Sequence, residues 1–247
     1  MKKAGQKIVI IIQARMTSSR LPGKILKEVL GKSLLEYEIE RLQEIPSKPE
    51  IWIATTTNQT DEPTVELAEK LKIKFFRGSE DDVLARYYFC AKEAKADAIV
   101  RITADCPLID PEIVSEVIET YKKSDADYVS NVVERTYPRG LDAEIFSFKA
   151  LEESFHEAKS QSEREHVTPF IRENANRYRS QNVKCASGNY AAHRWTVDTK
   201  EDFDLIKHLL EALYPNNPKF RMQHALQLLV THPDWSKINA DVAQKKE

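Results

Sequence analysis

The sequence predicts an α/β fold on a mainly parallel sheet covered on both faces, and three observations carry that expectation. Short apolar, β-branched runs alternate with stretches of helical periodicity as far as residue 130, the signature of successive strand–helix units. The first such run, Lys7 to Gln13, reads KIVIIIQ without polar alternation, as a strand buried on both faces does. The chain has 247 residues, 41% hydrophobic and 31% charged, which suits one sizeable globular domain or one with a small appended lobe.

The elements follow in order. After the first strand, Ser33 caps a helix whose Leu35, Ile39 and Leu42 recur at helical spacing. Ile51 to Thr55 reads as a second strand, and Pro63 begins a helix carrying Val65, Leu67, Ala68 and Leu71. Lys72 to Phe76 is a third, short strand. Ser79 with Asp82 resembles a helix-start box ahead of Val83, Leu84 and Tyr87. Ala98 to Thr103, AIVRIT, is a fourth strand. Asp110-Pro111 then opens a helix, with Asp as cap and Pro at the first helical position. The second half is less regular. Tyr128 to Val133 and Ala143 to Phe148 read as strands around the turn-rich YPRGLD, and Lys149 to Ala158 and Ser162 to Asn176 as helices. Two short strands are expected near Arg179 to Cys185 and Arg194 to Val197, then helices at Glu201 to Leu213 and Arg221 to Val230. The closing QKKE is expected to fray.

Composition narrows the function classes. Lys plus Arg total 37 against 39 Asp plus Glu, a formal net charge of −2. A dedicated nucleic-acid binder carries a basic excess, so no nucleic-acid partner is expected, and an anionic ligand needs a local cluster of cations. No segment reaches the length of a membrane span, and the apolar run Ile8 to Ile12 is too short for a secretion signal. Cys90, Cys106 and Cys185 form no C-x-x-C pair and read as reduced thiols of a cytoplasmic protein.

In a parallel sheet, ligands sit beyond the carboxyl ends of the strands, so the loops after Gln13, Thr55, Phe76 and Thr103 are where chemistry is expected. The first of them, QARMTSSRLPGK from Gln13 to Lys24, brings Arg15, Arg20 and Lys24 together, with Lys27 just beyond and the hydroxyls of Ser18 and Ser19 between. Such a cluster is what a triphosphate needs; it also fits a solvated basic turn. The loop is not a Walker P-loop, because Ile25 follows Lys24, and it lacks G-x-G-x-x-G. Asp105, in RITADCPLIDP, stands where a carboxylate can hold Mg²⁺ against phosphate oxygens, or where Asp simply forms a turn. Asp198, in RWTVDTKEDF, precedes a helix that Thr199 and Asp202 can already cap, which leaves Asp198 either a second cap or a ligand. Asp142 and Glu144 would share one strand face, as sugar ligands or as solvated edge residues. His166, alone on a helix, has no H-E-x-x-H context for zinc hydrolysis.

The stretch IIQARMTSSRLPGKILKEVLGKSLLEY resembles the opening of the cytidylyltransferases that make CMP-activated sugars, the acylneuraminate and 3-deoxy-manno-octulosonate enzymes. It is nearest their spore-coat-polysaccharide branch, in which Gln13-Ala14-Arg15 stands for the usual P-A-R. The resemblance extends from Ile8 to about Phe203. It implies a glycosyltransferase-A-like, Rossmann-related three-layer sandwich, with a core at about 7–130 and 190–235 and an inserted substrate or dimerisation lobe at about 131–189. It implies that Arg15, Ser18, Ser19 and Lys24 hold the triphosphate of CTP and that Gln13 and Ala14 touch the nucleoside. Thr55, Thr57, Arg77 and Gly78 would surround the base, and Mg²⁺ would be held by Asp105 and Asp198. Asp142, Glu144 and His166 would face a sugar or sugar acid, with Arg135, Arg139 and Arg164 as candidates for its carboxylate. Catalytic roles fall to Arg15, Lys24 and Asp105, and a cytoplasmic homodimer is expected. Two other readings stand beside this one. A glycosyltransferase using a nucleotide-sugar donor would want a D-x-D pair, and the strings here are Asp125-Ala126-Asp127 and Asp202-Phe203-Asp204. A non-enzymatic nucleotide-binding module would bind without turnover.

Overall fold

The β-branched run IVIIIQ forms the centre of the sheet. In the computed structural model, which describes residue 3 and residues 5–244, β1 (Ile8–Gln13) pairs in parallel with both β4 (Glu50–Thr56) and β6 (Ala98–Thr103). A small antiparallel hairpin of β2 (Glu28–Val29) and β3 (Lys32–Ser33) lies outside this sheet. With β5 (Lys74–Gly78), β7 (Tyr128–Ser130), β8 (Glu144–Ser147) and β9 (Ser180–Asn182), the main sheet has seven strands in the order β5-β4-β1-β6-β8-β7-β9. Within this sheet, among the described residues, only the pairings made by β8 are antiparallel. The α/β architecture with a mostly parallel sheet is therefore as expected.

Alternate residues of β1 feed two cores, which is why the run shows no polar alternation. Ile10 and Ile12 pack with α1 (Leu34–Leu42), α4 (Pro111–Lys123), α8 (Lys200–Leu213) and α9 (Met222–Thr231). Val9 and Ile11 pack with α3 (Val83–Glu93) and α5 (Phe148–Glu157). The remaining helices are α2 (Glu62–Lys70), α6 (Gln161–His166) and α7 (Pro169–Glu173). Helix starts follow local chemistry. Ser33 and Glu36 form a capping box, as do Thr199 and Asp202, while Asp82 and Asp110 cap α3 and α4. The three cysteines are free, and no helix among the described residues is long and apolar enough to cross a membrane.

Several boundaries differ from expectation, each for a physical reason. The third strand begins at Lys74, not Lys72, because Lys72 adopts φ 57 and closes α2 with Ile73 N–H donating to the Ala68 carbonyl, a left-handed helix cap. The strand from Tyr128 ends at Ser130, where the Asn131 side chain takes over, bonding the Leu141 carbonyl and the Ala143 N–H. The helix expected from Ser162 to Asn176 is two helices, broken at Val167. The stretch at Arg194 reduces to a single parallel bridge with Arg139. The segment 131–189, expected as an inserted lobe, contributes β8 and β9 to the main sheet. Of the QKKE tail, Lys245, Lys246 and Glu247 lie outside the described residues.

Candidate active site

The loops leaving β1 and β6 and the segment before α8 meet at one ammonium group. Gly23, at φ 68, turns the first loop back so that its N–H donates to the Met16 carbonyl at 2.9 Å, and Lys24 follows directly. Its Nζ donates to Asp105 Oδ2 at 2.7 Å and to Asp198 Oδ1 at 2.8 Å. Asp105 is bound to the segment before α8 by main chain as well, since Val197 N–H donates to its carbonyl at 2.9 Å. Two aspartates remote in sequence thus converge on one point.

Each carboxylate has one oxygen tied back and one aimed at Lys24. Asp105 Oδ1 accepts from the Thr103 hydroxyl at 2.8 Å and from Cys106 Sγ at 3.5 Å. Asp198 Oδ2 accepts from Arg194 Nη2 at 2.7 Å, and Arg20 Nη2 lies 3.0 Å from the same oxygen. Burial opposes every charge here; the Lys24 side chain is 11% exposed and those of Asp105 and Asp198 18% and 19%. Burial would strip Lys24 of its proton, but the two flanking carboxylates outweigh it and hold the ammonium above the usual lysine range. Burial likewise would raise the Asp105 carboxyl, but Lys24 and the hydrogen bonds to it prevail and lower it to about 2. Two convergent oxygens suit Mg²⁺, which typically takes one or two carboxylates and completes its shell with phosphate and water. Among the described residues no group of three or more His, Cys, Asp or Glu forms a ligand set, so an all-protein cage is absent there.

These carboxylates open into a cleft of ≈ 660 Å³. Gln13, Arg15 and Thr103 line it on the side of the parallel strand ends, and Arg15 lies 4.0 Å from Glu80. Arg101, Arg135, Arg139, Asp142, Glu144 and His166 line it as well. Asp142 is engaged by Arg135, one bond measuring 2.9 Å. Glu144 is a strut: it accepts from Arg101 Nη1 at 2.6 Å, from the Thr168 hydroxyl at 2.8 Å and from Tyr128 Oη. Burial alone would raise its carboxyl, yet Arg101 and these donors hold it below the ordinary range. His166 reaches the wall through Val167, whose φ 71 and ψ −49 form a three-residue turn closed by Thr168 N–H to the His166 carbonyl at 2.8 Å. A β-branched residue in that region is strained, and such strain concentrates at functional sites.

Other expected residues lie elsewhere. The Ala14 side chain is in the core and Ser19 is exposed, so only the main chain of this loop is available at Ala14. Thr55 is fully buried with its hydroxyl unpartnered, and Thr57 is exposed. Arg77 is engaged by the end of β4 and the start of α2, donating to the Thr56 carbonyl at 2.9 Å and to Glu62 at 2.8 Å. Gly78 is packed closely: a Cβ there would lie 3.0 Å from Phe76 and 3.3 Å from Arg86 Cγ. Arg164 pairs with Asp82. Neither D-x-D string lines the cleft. Asp125 and Asp127 pair with Arg179, while Asp202 is sealed against Arg194 and Asp204 pairs with Lys200.

Sequence reasoning missed four groups. Arg194 and Asp202 form a buried pair behind Asp198. Asp61, fully buried, anchors the first loop by accepting from Met16 N–H at 2.6 Å. Glu38 is also fully buried; its Oε2 accepts from Cys106 N–H at 3.0 Å, and burial pushes its carboxyl well above the ordinary range. Arg86 is fully buried with Nε and Nη2 unpartnered. A polar residue in an otherwise apolar helix stripe is the signal that finds Glu38, and it gives no hint of what lies opposite.

Residues 9–228 match the cytidylyltransferase family. The chain is 32% identical over 235 residues to the spore coat polysaccharide biosynthesis protein SpsF of Bacillus subtilis, covering 92% of this chain and 95% of that one. It is 32% identical over 116 residues to a 3-deoxy-manno-octulosonate cytidylyltransferase of Escherichia coli, covering 46% of this chain and 45% of that one. A solved cytidylyltransferase structure from Leptospira borgpetersenii superimposes with a TM-score of 0.88 at 31% identity, covering 98% of this chain and 100% of that one.

Proposed function

The chain belongs to the cytidylyltransferase family, and from that premise we propose that it transfers CMP from CTP to a sugar or sugar acid, releasing pyrophosphate, in surface polysaccharide biosynthesis. The observation that carries this reading is the meeting of Lys24, Asp105 and Asp198 at the end of the parallel strands. The acceptor hydroxyl attacks the α-phosphorus in line, the bond to the bridging oxygen of the β-phosphate breaks, and the hydroxyl proton passes to water or the departing pyrophosphate; no covalent enzyme intermediate forms, so catalysis rests on positioning and charge stabilisation. Asp105 Oδ2 and Asp198 Oδ1 would hold Mg²⁺, which supplies neutralisation of phosphate charge when bound. Arg15 and Lys24 then hold the phosphates that leave as pyrophosphate. Lys24, which bridges the two carboxylates, would turn its ammonium to the phosphates where a divalent ion took those oxygens. The wall of Arg135, Arg139, Asp142 and His166 receives the acceptor. A cytoplasmic homodimer completes the proposal.

Pyrophosphate release tests it, with CTP, UTP, ATP and GTP each offered against a panel of acidic and amino sugars in the presence of Mg²⁺. Release is expected with CTP and one sugar class, and Asp105→Asn is expected to lower it at least about a hundredfold. Near-normal release by Asp105→Asn, or turnover of a nucleotide-sugar without pyrophosphate, would contradict the reading. The second outcome is the glycosyltransferase result.

A further inference from the structure

Asp198 is held from behind by a charged network that includes the C-terminal segment. Arg194 has a forked contact: Nη2 donates to Asp198 Oδ2 at 2.7 Å, while Nε and Nη2 donate to Asp202 Oδ1 and Oδ2 at 2.9 and 3.1 Å. Asp202 is fully buried, and its Oδ2 also accepts from the backbone N–H of Asp198 and Thr199 at 3.0 and 3.1 Å. Asn239, itself 5% exposed, closes the network: its Nδ2 donates to the Arg194 carbonyl at 2.9 Å and to Asp202 Oδ1 at 2.8 Å. Gln244 Oε1 accepts from Arg194 Nη1. Both residues lie beyond residue 228, where the family match ends.

We infer that Arg194 is a positioning residue for the divalent ion, and that buried Asn239 belongs to the metal site through its bonds to Arg194 and Asp202. This rests on the reading of Asp105 and Asp198 as the divalent-ion pair. The geometry gives the network a task beyond stability. It ties Asp198 Oδ2 down from one side and so leaves Oδ1 as the oxygen that meets Asp105 Oδ2 across Lys24. A carboxylate free to rotate would spread over several orientations and present a lone pair to the ion only part of the time. Outer partners of metal-binding carboxylates fix orientation in this way. Charge works against the arrangement, since a guanidinium beside a ligand repels a cation. Its presence here means orientation is what it contributes, and a test must keep the charge constant.

Arg194→Lys keeps the charge and removes the fork, and Asn239→Ala removes two neutral donors. The readout is the ratio of CTP affinity with Mn²⁺ to CTP affinity in EDTA, by calorimetry; linkage makes that ratio the metal's own contribution. Both variants are expected to lower the ratio about tenfold, the low end for outer partners of a metal site, with CTP affinity in EDTA unchanged. A purely structural role would lower the melting temperature and leave the ratio intact, and that result in folded protein would overturn the inference. Where Asn239→Ala does not fold, Gln244→Ala carries the same test from the exposed end of the network. Asp198→Asn separates the two levels. If it leaves the ratio unchanged, the divalent-ion reading itself is wrong; if it abolishes the ratio while Arg194→Lys and Asn239→Ala match wild type, only the positioning inference falls.

Discussion

Lys24 is the residue on which the two aspartates depend. With its ammonium removed, Asp105 Oδ2 and Asp198 Oδ1 face each other across a gap that one cation bridges at 2.7 and 2.8 Å. Lys24→Met is therefore expected to destabilise the protein at pH 7 by up to about 3 kcal/mol, the low end for breaking a buried pair, because both carboxylates keep some contact with water. Added Mn²⁺ should restore part of the loss, raising the melting temperature of Lys24→Met more than that of wild type. Equal responses in a thermal scan with and without Mn²⁺ would show that the pair does not accept a divalent ion. The pH sense follows from Asp105, whose carboxyl is lowered to about 2. Its contribution is complete above the unfolded value near 3.9 and fades as pH falls toward 2. The residue types were legible in the sequence: basic residues after a buried strand, and Asp at two further strand ends. Their convergence was expected from the family resemblance, but the direct ion pairs were not, because neither the Lys24–Asp198 contact nor the Arg20 contact to the same carboxylate leaves a periodic trace across so long a stretch of chain.

At the scale of elements, Gly140 is where two segments of the site come closest. It has φ 97, and a Cβ would stand 2.5 Å from the Trp195 carbonyl carbon and 2.6 Å from the Thr196 nitrogen. That contact lets the chain at Arg139 bridge to Arg194, four residues before Asp198. Gly140→Ala adds a left-handed-conformation penalty of about 1–2 kcal/mol to an overpacking penalty of about 1–3 kcal/mol. Urea denaturation is expected to show a loss of at least about 2 kcal/mol, with pyrophosphate release falling further than the unfolded fraction accounts for. Full activity in the folded fraction would mean that this contact does not set the position of Asp198. Elements with strong local signals were readable: β1 and β6 from their apolar runs, α1 from its Ser33 cap and apolar spacing, α4 from Asp110-Pro111. The break between α6 and α7 was not, although Pro169 at the first position of α7 is a helix-start signal. Helical periodicity continues across Val167, and a three-residue turn centred on a β-branched residue contradicts the local preference that sequence reading relies on.

Across the whole molecule, the antiparallel insertion of β8 joins the parallel strands to the remaining sheet, and Glu144 fastens that junction. It is paired in register with Arg101 of β6 and with Ser130 of β7, and its carboxylate receives Arg101, Tyr128 and Thr168. The sequence offered Asp142 and Glu144 as equivalent members of one strand face. Burial separates them, because only Glu144 lies within the sheet, and that depends on which strand neighbours which. Glu144→Gln keeps the shape and removes the charge, leaving Arg101 without its counter-ion. Removing one partner of such a pair is expected to destabilise by about 3 kcal/mol, or roughly 6–12 °C in melting temperature for a chain of this size. The pH dependence distinguishes this from a packing effect. The folded carboxyl lies below the ordinary range, so its stabilisation is complete above the unfolded value near 4.3 and is lost as pH falls through the lower folded value. Urea unfolding of wild type and Glu144→Gln at pH 7, 5, 4 and 3 should therefore give a constant difference down to about pH 5 and a shrinking one below about pH 4. A difference that stays constant to pH 3 would mean that shape and not charge holds the junction, and the strut assigned to Glu144 would have to be withdrawn.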